Sequence, residues 1–152
     1  MREPLRPGRR LFWQGVRQAE LEVLMELDHT MIRVLDEERS LDFYGRMGFA
    51  ETKRARVGGD TATVIFLEPP GGGASLELTL NDGRTEPYEI GEGYGHIALV
   101  LSDLDSELRR LAEVGISPEK PPYQSRPGGS KICFVRDPDN YRIELIERGS
   151  AD

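Results

Sequence analysis

From residue 29 onward the chain is written in short stretches whose hydrophobic period switches from two to about 3.6 and back. Residues 29–34 alternate weakly and end before Asp36, a good helix N-cap. Leu41, Tyr44 and Met47 then recur at i, i+3 and i+6, which predicts a helix closed by Gly48 at the C′ position. Strands are predicted over 49–57, 61–67 and 74–80, separated by Gly58-Gly59-Asp60 and by Pro69-Pro70-Gly71-Gly72-Gly73. A Gly-rich, acidic linker covers 81–93. The order then repeats. A strand is predicted over 96–101, and a helix follows from the Asp103 cap to Val114, with Leu104, Leu108 and Leu111 on one face. Gly115 ends that helix, and a broken strand over 118–126, strands at 131–135 and 141–146, and an Asp137-Pro138-Asp139-Asn140 turn complete the pattern.

The repetition has a fixed step of 67 positions. It carries His29 to His96 and Glu77 to Glu144, and also Asp36 to Asp103, Leu41 to Leu108 and Gly48 to Gly115, with no gap introduced. An internal duplication is the reading, with modules at 29–80 and 96–147 inside one domain over 29–148. The order βαβββ, twice, predicts an α+β fold of two tandem modules forming a curved mixed or antiparallel sheet. It excludes the even β–α alternation of a dinucleotide-binding fold. Gly71-Gly72-Gly73 follows two prolines and precedes a strand, so it is a loop and not a phosphate cradle.

Residues 1–28 stand outside the duplication as an N-terminal extension. Five Arg and one Glu precede Ala19, and Leu11, Phe12, Val16, Leu24 and Leu27 give helix-like spacings that predict a short helix over about 11–26. The segment has no continuous apolar core of the secretory type. Composition adds exclusions. A net charge of -7 offers no electrostatic footprint for nucleic acid, and no apolar run approaches the ~20 residues of a membrane span. The lone Cys133 excludes an internal disulfide, suits a reducing compartment such as the cytoplasm, and reads as a small core residue within Ile132-Cys133-Phe134-Val135.

The chemistry lies in the duplicated positions. Two imidazoles and two carboxylates suit a divalent cation of borderline hardness: Zn²⁺, Ni²⁺, Co²⁺, Mn²⁺ or Fe²⁺. Glu77 lies between Leu76 and Leu78, and Glu144 between Ile143 and Leu145, so on a strand each carboxylate faces away from its apolar neighbours. The chain's two histidines occupy equivalent first-strand positions and are expected on that same concave surface. One Glu alternating with Leu is usually only a solvent-facing residue. A single offset relating all four positions argues for a shared role.

The segments His29-Thr30-Met31-Ile32-Arg33-Val34, Leu76-Glu77-Leu78-Thr79, Tyr94-Gly95-His96-Ile97-Ala98 and Asp137 to Leu145 resemble the glyoxalase I (lactoylglutathione lyase) family of the vicinal oxygen chelate superfamily. The resemblance covers roughly 28–148, and that family is likewise built of paired βαβββ modules. It implies a metal site of His29, Glu77, His96 and Glu144, completed by waters and shared between the two chains of a homodimer. It favours Ni²⁺ or Co²⁺, with Zn²⁺ also compatible. It further implies isomerisation of the hemithioacetal of methylglyoxal and glutathione to S-lactoylglutathione, with Glu144 as principal base and Glu77 sharing the role. Arg33 and Asn81 match family residues that bind the thiol's carboxylates, and Arg126 sits where relatives carry a basic loop residue.

The sequence departs from the family pattern at Asn140, which replaces Gly in the turn, and at Glu92, where longer members place an Arg. The segment up to Gly48 is one residue shorter. Glu92 leaves another low-molecular-weight thiol open as carrier. Two other activities fit the same scaffold: an epimerase or lyase on a different thiol adduct, and a non-enzymatic dimer that sequesters a drug.

Overall fold

The computed structural model describes residues 26–148. The helix expected over 11–26 falls, but for its last residue, outside them.

Each module folds as predicted into one helix and four strands. The first contains β1 (His29–Arg33), α1 (Glu37–Arg46), β2 (Ala50–Val57), β3 (Ala62–Glu68) and β4 (Ser75–Asn81). The second contains β5 (Ile97–Leu101), α2 (Leu104–Glu113), β6 (Tyr123–Gln124), β7 (Lys131–Arg136) and β8 (Arg142–Glu147). The strands make two four-stranded mixed sheets, ordered β1-β4-β3-β2 and β5-β8-β7-β6. The crossover helix lets the first strand of each module run parallel to the last, and hairpins leave the other pairs antiparallel.

Both helices begin and end on the same device. Asp36 accepts from the backbone N–H of Arg39, and Asp103 from that of Ser106, each satisfying an orphan donor of the first turn. At the other end Gly48 has φ +91° and Gly115 φ +81°. Gly48 and Phe49 donate to the carbonyls of Gly45 and Tyr44, while Gly115 and Ile116 donate to those of Ala112 and Leu111. That is a Schellman closure, which needs a left-handed residue and so a glycine. The helix ends also satisfy each other: Arg46 donates to the Val114 carbonyl and Arg110 to that of Arg46.

The inner faces of both sheets and the helices bury one apolar cluster, with Ile32, Tyr44, Ile65 and Leu78 from the first module and Leu104, Leu111, Val135 and Ile143 from the second. Each aliphatic member of this cluster contributes about 1.5–3 kcal/mol relative to leaving it exposed. Cys133 is fully buried, and burial raises its thiol pKa, in line with a core role. Among the described residues no helix is long and apolar enough to cross a membrane.

Three details differ from the sequence expectation. The buried face of α1 is Ser40, Phe43 and Tyr44, continued by Met47, with Leu41 only half-buried, because the helix presents an i, i+3, i+4 stripe and not a strict i+3 row. The strand expected over 118–126 is reduced to Tyr123–Gln124, since Pro118, Pro121 and Pro122 remove ladder donors. The duplication is also not gap-free throughout. The turn after β3 spans 69–74 and that after β7 only 137–141, and longer chain before β7 compensates.

Candidate metal centre

Register places the candidate ligands. In the parallel pairing Met31 lies opposite Glu77 and Ala98 opposite Glu144, so the two modules share one register. His29, two residues before Met31, therefore shares a face with Glu77 and lies diagonally across from it. His96 stands immediately before β5 in the equivalent position. His29 Nε2 is 3.1 Å from Glu77 Oε2, and His96 Nε2 is 2.9 Å from Glu144 Oε2. Leu76, Leu78, Ile143 and Leu145 are all buried on the opposite face, as the alternation predicted. The carboxylates are only 13% and 14% exposed, the imidazoles 37% and 40%.

A third member accompanies each pair. Phe66 lies opposite Glu77 on β3, and Phe134 opposite Glu144 on β7. Their rings meet His29 and His96 edge to face, with centroids 5.3 and 5.5 Å apart. These contacts restrict the imidazoles while leaving Nε2 toward the carboxylate. The two phenylalanines are 68 positions apart rather than 67, so a gap-free comparison passes them over. Aligning the residue that faces each Glu across the hairpin recovers them.

Two donors about 2.1 Å from one cation and at right angles stand about 3 Å apart, so each His–Glu pair fits two neighbouring positions of a divalent ion's coordination shell. The four residues form two such pairs and not one cluster. Among the described residues, no three His, Cys, Asp or Glu side chains gather as a metal-binding group.

Arg33 and Asn81 are brought together, the guanidinium donating to Asn81 Oδ1 at 2.6 Å. Tyr88 donates to the same oxygen at 3.1 Å, and the Arg33 backbone N–H donates to the Tyr141 hydroxyl. Among the described residues no carboxylate pairs with Arg33, which leaves its charge available to an anionic ligand. Arg126 is in the loop between β6 and β7, where its carbonyl accepts from Gly129. No hydrogen bond among the described residues joins it to either pair or to Arg33.

The turn at 137–140 holds the modules together. Asp137 accepts from the Tyr44 hydroxyl at 2.8 Å and from the backbone N–H groups of Asp139 and Tyr141. Asp139 accepts from the Leu35 N–H and the Ser40 hydroxyl. Burial pushes the Asp137 carboxyl up to about 6 and raises the Tyr44 phenol strongly, the adjacent carboxylate adding to the latter. Asn140 takes the left-handed conformation at φ +74°, so the turn survives the loss of Gly.

The profile of the Glyoxalase/Bleomycin resistance protein/Dioxygenase superfamily matches residues 26–145. The chain belongs to this superfamily. A Synechocystis protein described as a probable lactoylglutathione lyase is 38% identical over 129 residues, covering 83% of this chain and 98% of its own. The lactoylglutathione lyase of Escherichia coli O157:H7 is 35% identical over 130 residues, covering 84% and 96%. Among solved structures, Zea mays glyoxalase I has a TM-score of 0.73 at 29% identity, covering 83% of this chain and 46% of the maize chain. The present chain thus spans about half of that protein. The trypanothione-dependent Leishmania major glyoxalase I has a TM-score of 0.66 at 36% identity, covering 81% and 86%. The two mixed sheets are the paired βαβββ modules of the vicinal oxygen chelate fold.

Proposed function

We propose that this protein isomerises the hemithioacetal of methylglyoxal and glutathione to S-lactoylglutathione, at a divalent metal held by His29, Glu77, His96 and Glu144. The observation that carries the reading is the second His–Glu pair, a geometric copy of the first in a chain of this superfamily. Each pair supplies two donors only, so a full site needs both. Leu27, Met31 and Val100, on or beside the edge strands β1 and β5, are exposed at 76%, 41% and 52%. A two-fold homodimer that covers this apolar surface would set His29 and Glu77 of one copy against His96 and Glu144 of the partner subunit, generating two equivalent sites.

The substrate carries a hydroxyl and a carbonyl on adjacent carbons. A divalent cation, when bound, would acidify the intervening C–H and stabilise the negative charge that builds on the two oxygens. Glu144 removes the proton from the hydroxyl-bearing carbon and returns it to the neighbouring carbon, while the hydroxyl proton passes from the first oxygen to the second, so no atom is gained or lost. Its low exposure keeps the proton from exchanging freely with water. Glu77, placed equivalently, shares the task. Arg33 and Asn81 receive a carboxylate of the thiol by charge-assisted and amide hydrogen bonds. Arg126 is a second cation for it.

The test is isomerase activity on preformed adduct, using chelated protein re-supplied in turn with Ni²⁺, Co²⁺, Mn²⁺ and Zn²⁺. Activity is expected to return with metal, most fully with Ni²⁺ or Co²⁺. Stoichiometric metal binding without turnover of the glutathione adduct would contradict the substrate assignment and leave the metal centre standing.

A further inference from the structure

The two half-sites are alike in their His–Glu pairs and unlike one residue earlier. Asp28 precedes His29, and Gly95 precedes His96. Asp28 Oδ2 lies 2.6 Å from His29 Nδ1, the nitrogen that does not face Glu77. The backbone of Asp28 is already fixed, because its carbonyl accepts from the Ser75 N–H at 2.8 Å and extends the β1–β4 pairing by one residue. His29 is therefore held by three groups: Asp28 at Nδ1, Glu77 at Nε2 and Phe66 against the ring. His96 has Glu144 and Phe134, and no described side chain hydrogen-bonds its Nδ1.

We propose that Asp28 is a positioning residue for the metal centre, holding His29 as the Nδ1–H tautomer with its Nε2 lone pair aimed at the cation, so that the His29–Glu77 half is the tighter-binding one. The inference rests on the metal-centre reading above. A carboxylate on the outer nitrogen of a metal-binding imidazole fixes its orientation and increases its basicity as a ligand, and loss of such a partner typically weakens metal binding by about 10–100-fold. Asp28 makes no packing contribution to the core, its side chain being 86% exposed. Its removal therefore separates ligand orientation from folding.

The experiment measures Zn²⁺ affinity of the full chain by competition with a chromophoric chelator, for the parent, Asp28→Ala, Asp28→Asn and, as reference, His29→Ala. Melting temperatures and ¹⁵N shifts of the Zn²⁺-loaded histidines are recorded alongside. Asp28→Ala is expected to weaken Zn²⁺ binding by about 10–100-fold at unchanged melting temperature, with Asp28→Asn between it and the parent. His29 in the parent is expected to carry its proton on Nδ1. Gly95 has no left-handed φ and a Cβ there meets nothing within 4 Å, so Gly95→Asp can supply the missing carboxylate. Placed in the Asp28→Ala background, it should recover part of the affinity. An Asp28→Ala affinity within about twofold of the parent, or a proton on His29 Nε2, would overturn the role of Asp28 alone. A parent that binds no Zn²⁺, or binding indifferent to His29→Ala, would overturn the metal-centre reading itself.

Discussion

The two modules carry the same His–Glu–Phe arrangement and differ in the polar groups set around it. In the first, Arg33 and Asn81 flank the pair on β1 and β4; the same 67-residue step lands on Val100 and Arg148. The step also takes the buried Tyr44 to the equally buried Leu111, and Asp137 back to Pro70. Only Tyr44 has a hydroxyl to satisfy, and the carboxylate that meets it comes from the other module. What was kept in duplicate is the His–Glu pair, the donor set of the proposed metal centre. What diverged is the Arg33–Asn81 couple of the first module, the proposed substrate contact, and the clasp supplied by the second. On the proposed reading, a duplicated fold holds a symmetric ion while presenting an asymmetric surface to an asymmetric substrate.

The two modules should differ most at their carboxylates. Glu144→Gln is expected to lower kcat by about 10²–10⁴, the range of a lost general base. Glu77→Gln should lower it less and weaken metal retention more. Equal losses of kcat in steady-state assays would mean that the two modules share the proton transfer evenly. Next comes substrate contact. Arg33→Ala should raise KM for the adduct about 10–100-fold with kcat little changed, as expected for a charge-assisted bond made equally in ground and transition states. Arg126→Ala should raise it less. A larger effect from Arg126 would move the carboxylate site to the β6–β7 loop.

A third test concerns the clasp. The Asp137 carboxyl is raised from 3.8 to about 6, chiefly by burial, so the fold favours its protonated form. Its contribution to stability is fully present below about 4 and is lost as pH rises through about 6. Asp137→Asn keeps the shape and avoids burying a charge. It should therefore gain on the parent between pH 4 and 8 by up to about 3 kcal/mol. Denaturant melts at the two pH values check this, and parallel behaviour of the two proteins would contradict it. The smallest effect is the most symmetric. Asp36→Ala and Asp103→Ala should each cost about 1 kcal/mol, because the two caps make the same bond. Unequal melting shifts would show that one helix matters more to the shared core.

The two His–Glu pairs were legible because strands alternate with period two and each module keeps the same distance from first strand to last. His29, Glu77, His96 and Glu144 could be read from spacing alone, as could both helix caps and both closing glycines. Phe66 and Phe134 could not be, since compensating loop lengths shift them by one. The Tyr44–Asp137 clasp spans 93 residues and leaves no local periodic signal. Nor could spacing tell that the four candidate ligands fall into two pairs on two sheets, because a repeat places residues within each copy and not one copy against the other. Asp28 carries no repeat signal, having Gly95 as its counterpart.

On the proposed reading, the two His–Glu pairs are halves of one site shared between two copies of the chain. Mixing tests it. The mixture combines two single variants, His29→Ala and Glu144→Gln, each weakly active alone. After subunit exchange, a mixed dimer with shared sites collects both lesions in one site and leaves the other intact. Activity should recover to about a quarter of the parent's at equal mixing, as statistical pairing of a two-fold dimer requires. No recovery, with exchange verified by mass spectrometry, would contradict the shared site and place both pairs in the service of a single chain.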